Sequence, residues 1–191
     1  MTGEPAVLRQ AEARDAAAIA DIYNHEILSS TATFDTQPVT VENRVAWLAA
    51  HDAPDRPVVI AEVGGEVVGW ASLSSWSERC AYARAAEVSV YVHREHRECG
   101  IGGLLLAELV RLGRAAGLGV LLARICTEGE PSIALHRRQG FQTIGIMRRV
   151  GEKLGRVLDI ELMDLQLDEG VRGRRWRVWR RRAWPRARWC R

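Results

Sequence analysis

Val88-Ser89-Val90-Tyr91-Val92, followed a few residues later by Arg97-Glu98-Cys99-Gly100-Ile101-Gly102, is the most informative stretch of this sequence. The first run is apolar and alternating, as in a β-strand, and the leucine-rich run from 103 to 110 is typical of a helix. Glycines between a strand and a helix let the backbone approach a ligand, and the first helical N–H groups point towards it. Since the helix end carries partial positive charge, the stretch predicts a site for a phosphate-bearing small molecule.

The spacing of the glycines excludes two common nucleotide sites. The turn lacks the Gly-x-x-x-x-Gly-Lys-Ser/Thr pattern of nucleoside triphosphatases. Gly100 and Gly102 match the start of a Gly-x-Gly-x-x-Gly fingerprint, but Leu105 stands where the third glycine belongs. Taken alone, the turn leaves open a plain strand-to-helix connection, which also tolerates two glycines.

Composition indicates a single soluble domain. The chain has 191 residues, of which 47% are hydrophobic, enough to bury one core. No basic-then-apolar leader and no uncharged apolar run of about 18 residues stands out, so we expect neither a secretory signal nor a membrane span. Four cysteines without a Cys-x-x-Cys pair predict free thiols and a cytoplasmic protein.

The basic residues are concentrated at the C-terminus. Residues 171–191 contain ten of the 27 basic side chains and no acidic one, which leaves 17 basic against 24 acidic residues in 1–170. The acidic body gives no reason to expect nucleic-acid binding by the domain. We predict a domain over 1–169 and a disordered Arg/Trp-rich tail over 170–191; the alternative is a tail that binds anionic membrane or nucleic acid.

The order of predicted elements indicates an α/β (α+β) fold. Asp15 and Thr40 are expected to cap two early helices, and the alternation of the last strand slips near Met163, which predicts a β-bulge there. Strands are predicted at 7–10, 57–63, 66–71, 86–92, 120–125, 141–149 and 156–167, and helices at 15–27, 40–48, 100–116 and 132–139.

Several motifs in one order resemble those of a known family. They are Arg97-Glu98-Cys99-Gly100-Ile101-Gly102 after a strand with Glu87, then Ser132-Ile133-Ala134-Leu135-His136-Arg137-Arg138-Gln139-Gly140-Phe141, then the run from Gly151 to Asp159. From about Leu8 to Leu167 the chain resembles the GNAT N-acetyltransferases, in particular the phosphinothricin and methionine sulfone acetyltransferases. The resemblance implies a mostly antiparallel central sheet flanked by helices, acetyl-CoA as cosubstrate, a small-molecule amine substrate and a homodimer.

Glu87 and His136 are the candidate catalytic residues. Strand alternation places Glu87 on one face with Ser89 and Tyr91, where a carboxylate is costly unless the face opens on a wet cleft. The resemblance makes Glu87 the general base; the alternative is a carboxylate that is solvated or paired with an arginine. The resemblance gives His136 the position that protonates the leaving thiolate or places the substrate; the alternative is an ordinary histidine in the last turn of a helix.

The remaining site residues divide into three groups. For the cofactor, we expect backbone groups of the strand, at Val90 and Val92, to bind the peptide-like pantetheine arm. The glycine turn and the run that begins at Ser132 are expected to bind the rest of the cofactor, through Arg97, Gly100, Gly102, Gly103 and Ser132. For the amine, an aromatic wall of Tyr23, Phe34, Trp76 and Tyr82 is predicted, with ordinary core packing as the alternative. His93 and His96 lack a third ligand, so no metal is expected.

These residues together predict an acetyl-CoA-dependent N-acetyltransferase for the α-amine of a small amino-acid-like compound, of the phosphinothricin, methionine sulfone or methionine sulfoximine type. Transfer is expected to be direct within a ternary complex, because no cysteine is placed as a nucleophile. The family often carries Glu-x-x-Asn where Cys126 and Gly129 stand here. The alternatives are an enzyme for protein N-termini or other amines, and a non-catalytic module that binds coenzyme A.

Overall fold

A computed structural model describes residues 4–168 of the chain. The tail assigned to 170–191 therefore lies outside the described residues, as does Cys190. The described residues form seven strands and four α-helices, in this order along the chain: β1 Val7–Gln10, α1 Ala16–Ser29, α2 Val41–Ala50, β2 Val58–Val63, β3 Glu66–Ser75, β4 Ala85–Val92, α3 Ile101–Ala115, β5 Val120–Cys126, α4 Glu130–Arg138, β6 Gln142–Lys153 and β7 Arg156–Gln166.

The strands form one sheet in the order β1-β2-β3-β4-β5-β7-β6. Every neighbouring pair is antiparallel except β4 and β5, which run parallel. The predicted mixed, mostly antiparallel sheet with flanking helices is confirmed.

Helices pack on both faces of the sheet. On one face, α3 buries Leu105 and Leu109 against Val88 of β4 and Leu121 of β5. On the other face, α1 packs Ile19, Ile22, Tyr23 and Ile27 on Val58, Ile60 and Trp70. Strand alternation explains the two cores, because successive side chains of β3 and β4 point to opposite faces.

Thr40 caps α2 as expected, because its hydroxyl accepts a hydrogen bond from the Asn43 N–H at 3.2 Å. The Asp15 side chain does not cap α1. Two nitrogens of Arg9 each donate to its carboxylate at 2.7 Å, and the Glu12 N–H donates to it as well. The carboxylate therefore closes a short 3-10 turn ahead of α1 instead of reaching into the helix.

The bulge expected at Met163 lies on the neighbouring strand. β7 pairs with β5 in unbroken register, whereas β6 shifts register between Thr143 and Gly145, opposite Met163. The alternation of buried and exposed side chains along β7 is lost for another reason. Both of its faces are covered, and Glu161 is buried through hydrogen bonds from Arg137 and Thr143.

The cysteine prediction holds in part. Cys99 is an exposed free thiol and Cys126 a buried one. Cys80 takes part in a disulfide, so the prediction of a free thiol is wrong for that residue.

Candidate active site

A wedge-shaped gap opens between the two parallel strands. β4 and β5 pair only from Ala85 to Glu87, opposite Val120 to Leu122. Beyond Glu87 the strands separate. We use the term β4–β5 wedge for the gap between residues 88–92 of β4 and 123–126 of β5. Glu87 is the last residue of β4 that pairs with β5, and so it lies at the apex of the wedge.

The wedge is lined by unpaired backbone groups. The N–H of His93 donates to Val68 on β3 at 2.8 Å, so odd-numbered residues of this segment direct their peptide groups to β3. Even-numbered residues direct theirs the other way. The N–H and C=O groups of Val90 and the N–H of Val92 therefore face the wedge, where an extended amide-containing chain can add as an extra strand.

The glycine turn begins α3 beside the wedge. Gly100 has a φ of 83°, in the left-handed region that favours glycine, and is the N-cap residue. Leu104 makes the first intrahelical bond, to Gly100, so the N–H groups of residues 101–103 have no earlier helical carbonyl to bind. A Cβ on Gly102 would lie 3.2 Å from Leu135 of α4 and 3.7 Å from Val92. The crowding shows how closely the three elements meet at this helix end.

Two residues expected near the phosphates are engaged with protein groups. The guanidinium of Arg97 forms an ion pair with the buried carboxylate of Glu26 on α1 and contacts the Val92 carbonyl at 3.4 Å. The carbonyl of Gly103 accepts a hydrogen bond from Gln139 at 3.4 Å. Both contacts stiffen the turn against neighbouring helices.

Glu87 lies on the face predicted for it and is paired with an arginine. Nε and Nη2 of Arg124 donate to its two carboxylate oxygens at 2.6 and 2.5 Å. The guanidinium also lies over the ring of Trp76, 5.4 Å from its centroid. Sequence analysis missed Arg124, although it is the only charged residue in the otherwise apolar β5.

The side chain of His136 is buried, and its imidazole ring is neutral near neutral pH. Its Nδ1 lies 2.8 Å from the Ser132 carbonyl, which can only accept, so Nδ1 carries the proton. Burial lowers the pKa of the imidazole below its usual value, outweighing that hydrogen bond. The neutral ring then has an unprotonated Nε2. Near neutral pH, this ring therefore has no proton on Nε2 that it could give to a thiolate.

The four predicted substrate aromatics occupy different places in the described fold. Tyr23 packs edge-on against Trp70 and Tyr91, and burial raises its pKa to about 12. Its hydroxyl bonds with Thr33 and Asp35. Phe34 lies against Gly151, Trp76 supports Arg124, and Tyr82 is exposed in a 3-10 turn.

Lys153, the only lysine of the chain, is 4% exposed. Its Nζ donates to the carbonyls of Glu26 at 3.0 Å and Thr33 at 2.7 Å, which ties the β6–β7 hairpin to α1 and the following loop. Sequence analysis missed this residue, and its rarity among so many arginines was the available signal.

Within residues 4–168, no three His, Cys, Asp or Glu side chains are grouped so that they could hold a metal ion. The rings of His93 and His96 lie 5.8 Å apart. No helix in that range has both the length and the apolar character needed to cross a membrane.

Comparison with known proteins identifies the family of the chain. Residues 19–141 match the acetyltransferase (GNAT) family. The chain is 40% identical over 162 residues to an L-amino acid N-acyltransferase of Escherichia coli, covering 85% of this chain and 94% of that one. It is equally similar to an L-methionine sulfoximine/L-methionine sulfone acetyltransferase of Salmonella typhimurium, covering 85% and 95%. A phosphinothricin acetyltransferase from Sinorhizobium meliloti, solved with acetyl-CoA, superimposes with a TM-score of 0.84 at 36% identity, covering 88% and 92%.

Proposed function

The chain belongs to the acetyltransferase (GNAT) family and is an N-acetyltransferase, and from that premise we propose that it moves acetyl from acetyl-CoA directly to the α-amine of a small amino-acid-like compound. The observation that carries the proposal is the position of Glu87 at the apex of the β4–β5 wedge. A thioester at the end of a chain bound along the wedge reaches that carboxylate.

The described residues fit acetyl-CoA. The N–H groups at the start of α3 suit the diphosphate, and glycine at 102 lets α3 lie close to Leu135 and Val92 at this helix end. The backbone groups of Val90 and Val92 suit the amides of the pantetheine arm. Ser132, half-buried in the first turn of α4, lies one helical turn from His136 on the same helix.

Glu87 supplies the base in this proposal. A substrate ammonium gives one proton to Glu87, directly or through water, and the neutral amine then attacks the thioester carbonyl. Collapse of the adduct breaks the C–S bond, and the second proton that the nitrogen loses neutralises the departing coenzyme A thiolate. We assign His136 to positioning, because a ring with its proton on Nδ1 offers only a hydrogen-bond acceptor at Nε2. The two relatives named for L-amino acids and for methionine sulfoximine and sulfone favour a free amino-acid-like compound over a protein N-terminus.

Thiol release from acetyl-CoA tests the activity. We expect release with amino acids, phosphinothricin or methionine sulfone, and little with peptides that mimic protein N-termini. Thiol release with the peptides but not with the amino-acid-like compounds would point to an enzyme for protein N-termini. Binding of coenzyme A without release for any amine would point to a non-catalytic module.

Replacement of Gly102 by valine is expected to weaken acetyl-CoA binding by about tenfold or more, equivalent to about 1.4 kcal/mol or more. The added methyl groups crowd the diphosphate position and displace Leu135. Calorimetry measures the affinity. Ala115→Val, which adds the same groups at the exposed far end of α3, is the control. Equal affinity of both folded variants would move the phosphate site elsewhere.

We also propose a cytoplasmic homodimer whose domain spans 1–169. The argument for a second copy is the edge strand β6, whose apolar side chains are unusually exposed. A long apolar edge strand with unpaired backbone groups is a liability unless it is covered. The exposed residues on this hairpin are Ile144, Ile146, Met147, Val150, Leu154 and Val157.

Ile146→Lys is expected to convert the dimer to a monomer, because a charge would be buried at the centre of the contact. Light scattering after size exclusion measures the mass. Val7→Lys is the matched control, since Val7 is an exposed apolar residue on β1, at the opposite edge of the sheet. Loss of the dimer in both variants, or in neither, would contradict an interface at β6.

A further inference from the structure

The contact between Arg124 and Glu87 blocks the atoms that the proposed reaction needs. Both oxygens of Glu87 accept hydrogen bonds from the Arg124 fork. The guanidinium fills the position beside this carboxylate that a substrate ammonium would need, and it already balances the carboxylate charge. Proton transfer to Glu87 therefore requires the fork to open.

The fork is placed so that it can open. The Arg124 side chain is 51% exposed, and Glu87 is 20% exposed. Ion pairs with this much solvent contact contribute little to stability, so a competing anion can exchange with Glu87 at small cost. Trp76 supports the guanidinium from one side, which lets Arg124 turn from one carboxylate to another while it stays on the indole.

We propose that Arg124 is a substrate-operated latch on Glu87, released by the α-carboxylate of the amino-acid substrate. This inference rests on the proposed function and adds how the site selects its substrate class. An amino-acid zwitterion exchanges partners with the pair: its carboxylate takes the Arg124 fork, and its ammonium takes the place of Arg124 beside Glu87. Charge is conserved in the exchange.

The chemistry of the zwitterion fits the exchange. The α-amine and α-carboxylate are separated by one carbon, and Arg124 and Glu87 are in direct contact, so the two ends of the substrate meet adjacent partners. The ammonium then gives one proton to the freed Glu87, and the amine is ready to attack. An amine without a carboxylate leaves the latch closed.

The test compares L-methionine sulfone with its primary amide, which keeps the α-amine and lacks the carboxylate. The wild-type protein is expected to prefer the acid by about 10²-fold in kcat/KM, the scale of losing a bidentate charged contact. Arg124→Gln is expected to lose activity on the acid and to gain activity on the amide, because the base is no longer held. A purely structural role would lower both.

The matched control is Arg111→Gln on α3. Arg111 makes the same two-bond fork, with Glu108, away from the wedge. It should leave both rates at wild-type values. An Arg124→Gln variant with the wild-type acid-to-amide ratio overturns the latch, as does a wild-type protein without preference. Absence of thiol release with every amine would instead contradict the proposed function. If Arg124→Gln fails to fold, the wild-type ratio alone still decides.

Discussion

Glu87→Gln is expected to lower kcat by about 10²- to 10⁴-fold, the usual effect of removing a positioned general base. Glutamine keeps the size of the side chain and its place at the apex of the β4–β5 wedge, but it cannot take a proton from the ammonium. Acetyl-CoA affinity should change little, because the proposed diphosphate and pantetheine contacts come from α3 and from Val90 and Val92. Steady-state kinetics and calorimetry separate the two effects.

The pH–rate profile identifies the cause of that loss. At high pH the amine deprotonates without help, so the difference between Glu87→Gln and the wild-type protein should shrink. Glu108→Gln is the matched control, because Glu108 is also held by a two-bond arginine fork and lies on α3, outside the wedge. Parallel profiles for Glu87→Gln and the wild-type protein would show that Glu87 is not the base.

Lys153→Met is expected to lower the free energy of unfolding by about 1–3 kcal/mol, because it leaves the Thr33 carbonyl without its donor and removes one donor from the Glu26 carbonyl, which also accepts from Ser30. Those carbonyls belong to Glu26 and Thr33, which the Lys153 amine joins to the β6–β7 hairpin. Denaturant titration measures the loss. Arg148→Met, at an exposed position of the same strand, should change the free energy by less than about 0.5 kcal/mol. Equal losses of unfolding free energy in the two variants would contradict a structural role for Lys153.

The same variant should alter the dependence of stability on pH. Burial lowers the pKa of the Lys153 ammonium, and the charges of Asp35 and Glu26 oppose that shift only in part. Between the lowered pKa and about 10.4, the unfolded chain holds a proton that the folded chain lacks. The free energy of unfolding of the wild-type protein therefore rises with pH in that window, and this slope should be absent in Lys153→Met.

The fold could be predicted from the sequence because strands and helices have regular patterns of apolar residues. Alternation in β4 placed Glu87, Ser89 and Tyr91 on one face, and the observed pairing with Ser74, Ser72 and Trp70 of β3 agrees. Each of these inferences depends on residues within one element, where backbone geometry fixes the direction of the side chains. The bulge predicted from the slip at Met163 lies on the neighbouring strand β6, and the slip itself comes from the buried Glu161 of β7.

The same distinction between local and long-range contacts applies to the candidate active site. The sequence alone determined the helix N-terminus at Gly100, the strand that carries Glu87 and the acidic character of the body, because spacing and composition are properties of a single segment. Only the tertiary structure decided that Arg124 holds Glu87, that Arg97 is taken up by Glu26 and that Lys153 is buried. These pairs lie 37, 71 and 127 positions apart along the chain. Local periodicity carries no information over such separations, because strand order and helix packing alone bring the partners together.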